Sequence, residues 1–109
     1  MTLKQLQEEY QVIKEIIDQK WPIPDQKQRI FARTMKLVEE LGELANELLT
    51  SMNLQRQDKQ DAFHDQKVED EFADVLASVV LLAAELDIDI EEVMQRKITF
   101  TKQRFSTDE

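Results

Sequence analysis

Two short acidic patterns in this sequence have the residue types and spacing to do chemistry. Glu39, Glu40 and Glu43 stand in "VEELGEL", and Glu71 and Asp74 stand in "EFAD". Residues three and four apart share one face of a helix, so each pattern gathers carboxylates within about one turn. Such crowding has a cost of about 0.2–0.5 kcal/mol per like-charged pair. Gly42, the only glycine in the chain, adds about 1 kcal/mol relative to alanine in a helix interior. Two packed antiparallel helices, each presenting one of these clusters, would build an all-oxygen, strongly negative site. That donor set suits hard divalent cations, Mg²⁺ or Mn²⁺. Gly42 would let a ligand or another backbone come close. An ordinary solvated acidic face is the competing reading for Glu39, Glu40 and Glu43. It fits Asp74 poorly, because Asp74 directly precedes the uncharged run from Val75 to Ala84 and a buried carboxylate needs a partner.

A third pattern has the opposite charge. In "RKITFTKQRF", Lys97, Thr101 and Arg104 fall on one helical stripe. Lys97 and Arg104 are suited to phosphate oxygens, Arg104 as a bidentate fork. The alternative is a pair of cations complementing a helix C-terminus.

The elements that must position these residues are all helical. The chain has 109 residues, 41% hydrophobic and 34% charged, with one glycine and two prolines. That is enough for one domain, over 1–109, and too few turn residues for a sheet-rich fold. The expected first helix runs from a Thr2 cap to about Lys20, and "WPIPD" ends it, since two prolines cannot continue a helix. Asp25 caps a second helix reaching about Asn53, with Ile30, Thr34, Leu37, Leu41, Leu44, Leu48 and Met52 as its apolar stripe. The aperiodic stretch 54–65 reads as a loop. A third helix covers about Gln66 to Leu86, and a fourth runs from Ile90 to about Arg104, with Asp87 or Asp89 as its cap. The expected fold is an all-α, four-helix antiparallel bundle.

In the third helix, "VLASVVLLAA" is apolar around its whole circumference and must be buried all round. Four helices of this size have little means of enclosing one of their own. A homodimer or homotetramer is therefore expected, in preference to a monomer with one well-buried helix.

The totals restrict function further. There is no cysteine, so disulfides, thiolate metal sites and cysteine nucleophiles are excluded. A net charge of −9 disfavours a nucleic-acid surface, which works by neutralising phosphates. The N-terminal stretch lacks an uninterrupted apolar core of the secretory kind. The longest uncharged run is half of what a membrane span requires, so no membrane partner is expected and the expected location is cytoplasmic. His64, the only histidine, pairs in spacing with Asp61 but cannot supply the two Glu-x-x-His motifs of a di-iron bundle. Trp21 reads as a hydrophobic plug in the first turn rather than a stacking platform for a base, and Phe31 and Phe72 read as core. Met35, Met52 and Met94 read as packing residues.

Taken together, "EELGE" followed by "EFAD" resembles the E-E-x-x-E … E-x-x-D signature of MazG-like nucleoside triphosphate pyrophosphohydrolases, within the all-α NTP pyrophosphatase group. Between Glu43 and Glu71, 27 residues intervene, a spacing this family accommodates. The tail "ELDIDIEEVMQRK…RF" resembles the family's fourth helix, and the likeness covers about Arg33 to Phe105. Thr101 stands where the family commonly has asparagine and cannot offer a planar amide. The resemblance implies Mg²⁺-dependent hydrolysis of an NTP or dNTP to the monophosphate and pyrophosphate, by attack of water on the α-phosphorus. It implies Glu40, Glu43, Glu71 and Asp74 as metal ligands, and Glu39, exchangeable with Glu40, as the group that orients the water. Lys97, Thr101 and Arg104 would then contact the substrate, within one chain or across a subunit boundary. The competing function is a non-enzymatic acidic oligomer that docks a basic partner.

Overall fold

The computed structural model describes residues 1–52 and 65–106, and of Asp65 and Gln66 the backbone alone. The stretch 54–64 expected as a loop, with Asp61 and His64, lies outside them. Four helices make up the described chain: α1 (Leu3–Lys20), α2 (Gln26–Ser51), α3 (Asp65–Glu85) and α4 (Ile90–Ser106). No described helix is long and apolar enough to cross a membrane.

Local chemistry sets the helix ends. Thr2 closes a capping box with Gln5, each side chain bonding the other's backbone N–H. Asp25 accepts from the Lys27 N–H and caps α2. Asp89 accepts from the Glu92 N–H and caps α4, which decides between the two aspartates of "DID". Asp87 does something else. It holds φ 59°, while Ile88 N–H reaches the Ala83 carbonyl at 2.9 Å and Asp87 N–H the Ala84 carbonyl at 3.4 Å. This is the left-handed closing turn of α3, a position that aspartate tolerates better than most side chains. Gln7 then clasps the α3–α4 connection, donating to the Ile88 carbonyl at 3.0 Å and accepting from the Ile90 N–H at 2.9 Å.

α2 and α3 form the main antiparallel pair, and α1 packs on α3. α4 has its principal contact with α1. Among the described residues the core within one chain is small: Leu44, Val80 and Ala83 are the buried apolar ones. α2 is rotated relative to the expected leucine stripe. Leu44 is buried and Ile30 and Leu37 half-buried, whereas Leu41, Leu48 and Met52 point outward, Leu41 being 55% exposed. The inward positions between them belong to Arg33, Glu40 and Glu47. The reason is visible in the composition of the helix: α2 is apolar on two faces, and the one bearing carboxylates is turned toward α3. α3 is also covered on one side only. Val80 is 1% exposed, but Phe72 is 63% exposed and Leu76 and Val79 are open as well. Phe31 and Phe72, expected in the core, are surface residues of the single chain, as are Met35, Met52 and Met94.

Candidate metal centre and adjoining cavity

Glu40 and Glu43 from α2 and Glu71 from α3 each bring a carboxylate oxygen to one place, all within 4.8 Å of one another. The antiparallel register makes this meeting, since Glu47 faces Lys67 at one end of the pair and Arg29 faces Glu85 at the other. Glu40 is buried, and one of its oxygens takes the Lys36 ammonium at 3.0 Å. Its other oxygen, Oε2, and Glu71 Oε2 are both buried without a hydrogen-bond partner. Buried carboxylate oxygens normally have partners. Two that lack one, facing a third carboxylate, are the arrangement that a bound cation completes. Burial, and then the charge of Glu43 and a hydrogen bond to it, push the Glu71 carboxyl above its usual range; Asp74 and Glu40 add to this.

Asp74 lies one turn along α3 from Glu71, outside the tightest group. It lines a cavity with Glu40. Glu39 stands exposed at the rim, 3.6 Å from Lys36. Lys97, Thr101 and Arg104 lie on α4, and none of them lines a cavity described here. Lys97 sits 5.5 Å from the Phe100 ring centre.

Glu47 was not singled out in the sequence, although it is buried and bound by Lys67 at 3.0 Å. Its spacing, four residues beyond Glu43 and seven beyond Glu40, puts it on the same face and was the available signal. Glu39, Glu43, Glu47, Lys67 and Glu71, with Gly42, line an open cavity of about 480 Å³. Beyond its two neighbours and the backbone of its own helix, no atom of the described residues comes within 4 Å of a β-carbon built on Gly42, so the space beside it is open.

On the other side of Glu40 lies a more apolar cavity of about 410 Å³ between α1, α2, α3 and the α1–α2 connector. Trp21 is 69% exposed at this cavity. It is therefore not the plug expected from the sequence, because the connector is held from elsewhere. Arg29 Nη1 donates to the Ile23 carbonyl at 2.7 Å and to the Pro24 carbonyl at 3.0 Å.

The MazG-like family model matches residues 32–109 of the sequence, across both acidic patterns and α4. The chain belongs to the MazG-like family. No curated protein matches it, and no solved structure does. Membership of this MazG-like family suggests an activity of the NTP-pyrophosphatase type, which is typically metal-dependent, and the carboxylate group above is one that could bind a metal.

The raised Glu71 carboxyl gives a prediction for the metal-free protein. The folded state keeps a proton that the unfolded chain releases near 4.5. Stability from this group is present below that value and lost as pH rises through the higher folded value. Melting temperature without divalent ions should therefore fall as pH rises above about 4.5, and Glu71→Gln should flatten the slope. An unchanged slope in that variant would assign it to other groups. The opposite dependence of Asp18 lies in a separate window, below 3.8.

Proposed function

We propose that this MazG-like protein hydrolyses nucleoside or deoxynucleoside triphosphates to the monophosphate and pyrophosphate with Mg²⁺, clearing unwanted nucleotides from the pool. The observation that carries this reading is the convergence of Glu40, Glu43 and Glu71 with two buried oxygens left without partners. Glu40, Glu43, Glu71 and Asp74 would hold the ion, with Mn²⁺ as a substitute. When bound, the ion lowers the pKa of water and offsets charge on phosphoryl oxygens.

The chain's own residues do the rest. Glu39, exposed at the rim with Lys36 at 3.6 Å, lies outside the clustered carboxylates and would orient the attacking water and accept its proton. A water oxygen bonds to the α-phosphorus as the α–β phosphoanhydride bond breaks, and pyrophosphate leaves. Lys97 and Arg104, with Thr101, would contact phosphate oxygens from α4 of a second copy.

A homodimer or homotetramer is part of the proposal. Phe31, Val38, Leu41, Phe72, Leu76 and Val79 present a broad apolar surface on α2 and α3. The radius of gyration of 17.4 Å exceeds the roughly 13 Å of a compact chain of this length. Sedimentation should find more than one chain per particle, and Leu76→Arg should give monomers that keep their helicity. A monomeric wild type would overturn this part.

The reaction is tested with a panel of canonical and damaged (d)NTPs and Mg²⁺, separating products by chromatography. Monophosphate and pyrophosphate are expected. Orthophosphate as the product, or no turnover of any triphosphate, would sink the reading and leave the non-enzymatic acidic oligomer.

A further inference from the structure

The apolar cavity beside Glu40 has the size of a small-molecule site. Three carboxylates line it, Glu40 and Asp74 of the candidate metal set and Asp18 outside it, together with three cations that are already engaged, Arg29 and Arg33 by Glu85 and Lys36 by Glu40. Asp18 is fixed rather than free. Arg33 Nη2 donates to its Oδ1 at 2.7 Å and Lys14 Nζ to its Oδ2 at 2.8 Å. Arg33 is itself held through Nε by Glu85 at 3.3 Å. The Asp18 side chain keeps 29% exposure, so it remains reachable from the cavity. Burial acts to raise its carboxyl, but the Lys14 hydrogen bond and the charges of Lys14, Arg33 and Arg29 outweigh that and hold it below the usual range. It is therefore an ionised group that accepts hydrogen bonds and cannot donate one. Trp21 adds an exposed indole on a connector stiffened by two prolines and pinned by Arg29.

A flat ring suits the indole and the apolar walls, and an N–H on its edge suits Asp18; a carbonyl there would meet a fixed negative oxygen. We propose that this cavity takes the base of the nucleotide, and that Asp18 selects bases with an amino group over those with a carbonyl at the same position. Cytosine is thus preferred to uracil, and adenine to hypoxanthine. The inference rests on the nucleotide reading above. The base end of the substrate would lie on one side of Glu40, and the acid-lined cavity, with Lys67 at its edge, on the other.

The chain's one tryptophan is Trp21, so intrinsic fluorescence reports on the cavity without any turnover. The experiment titrates wild-type protein with Mg²⁺ and the non-hydrolysable α,β-imido analogues of CTP and UTP, and repeats it with the ATP and ITP analogues. The amino member of each pair should shift Trp21 fluorescence and bind roughly 10- to 100-fold more tightly, the range of a hydrogen bond to a charged group. Asp18→Asn, whose amide both donates and accepts, should bring the ratio close to one, chiefly by improving binding of the carbonyl member. Equal wild-type affinities within each pair would overturn the proposal whether or not the variant folds, as would an undiminished ratio in a folded Asp18→Asn. If triphosphates are hydrolysed while Trp21 fluorescence stays silent, the base site alone fails. If the analogues are discriminated but no triphosphate is ever hydrolysed, the base site stands and the reaction alone fails.

Discussion

Glu43→Gln is expected to abolish the proposed turnover and, without divalent ions, to raise the melting temperature. Both effects have one cause. Glu43 brings its carboxylate to those of Glu40 and Glu71, and nothing within the described chain offsets all three. Lys36 reaches Glu40 and Glu39, and Lys67 reaches Glu47. Neutralising Glu43 relieves the repulsion with Glu40 on α2 and with Glu71 across the helix pair. This relief is worth about 0.5 kcal/mol or more, a rise of roughly 2–4 °C for a chain of this size. With Mg²⁺ the order reverses. An ion that binds only the folded state stabilises it by about 2.7 kcal/mol at a hundredfold excess over its dissociation constant, and the variant forfeits most of that. Loss of turnover should reach at least about 10²–10³-fold, as when one preorganised electrostatic group is removed. Thermal melts with and without Mg²⁺, set beside pyrophosphate release, give the crossing. A variant less stable than wild type in both conditions would mean that Glu43 is a structural residue. Retained turnover would remove it from the site.

The parts of this arrangement that could be read along the chain are those governed by local spacing. Thr2, Asp25 and the prolines of "WPIPD" place the helix ends, because caps and breakers act over a few residues. Glu40, Glu43 and Glu71 come together because three-residue spacing fixes a face and an antiparallel pair brings the two faces into register. The rotation of α2 was not legible. With leucines on two sides of one helix, periodicity alone does not decide which side meets α3, and Glu40 and Glu47 were turned inward where Leu41 and Leu48 were expected. Trp21 departs from the expected plug for a related reason. The group that holds its connector is Arg29, reaching back from α2, and a proline-bounded turn does not announce such a partner.

Glu85 was hidden most completely, since the residues it binds lie 52 or more positions away, and its loss should cost more stability than that of any other charge in the described chain. Its side chain is 3% exposed and gathers Arg29 Nε at 3.0 Å, Arg33 Nε at 3.3 Å and Lys14 Nζ at 3.9 Å. With Asp18 included, three cations share two carboxylates. Glu85→Ala leaves those three cations with Asp18 alone, in a setting where the side chains of Lys14 and Arg33 are largely withdrawn from water. Removing one partner of a buried ion pair costs about 3–5 kcal/mol, a large part of the 5–15 kcal/mol typical of a domain. Urea unfolding should show that loss as a lower midpoint at unchanged slope. A drop below about 1 kcal/mol would mean that the network behaves as exposed ion pairs do. Replacing Glu85 and Arg33 together by Leu and Met should recover part of the loss, because it is the orphaned charge that is expensive. The same network orients Asp18 through Arg33 and ties down the Trp21 connector through Arg29. The milder Glu85→Gln, studied where it is still folded, should therefore weaken discrimination between amino and carbonyl bases while Mg²⁺ binding at Glu40, Glu43 and Glu71 persists. Loss of both together would show that the acid cluster depends on this end of the helix pair as well.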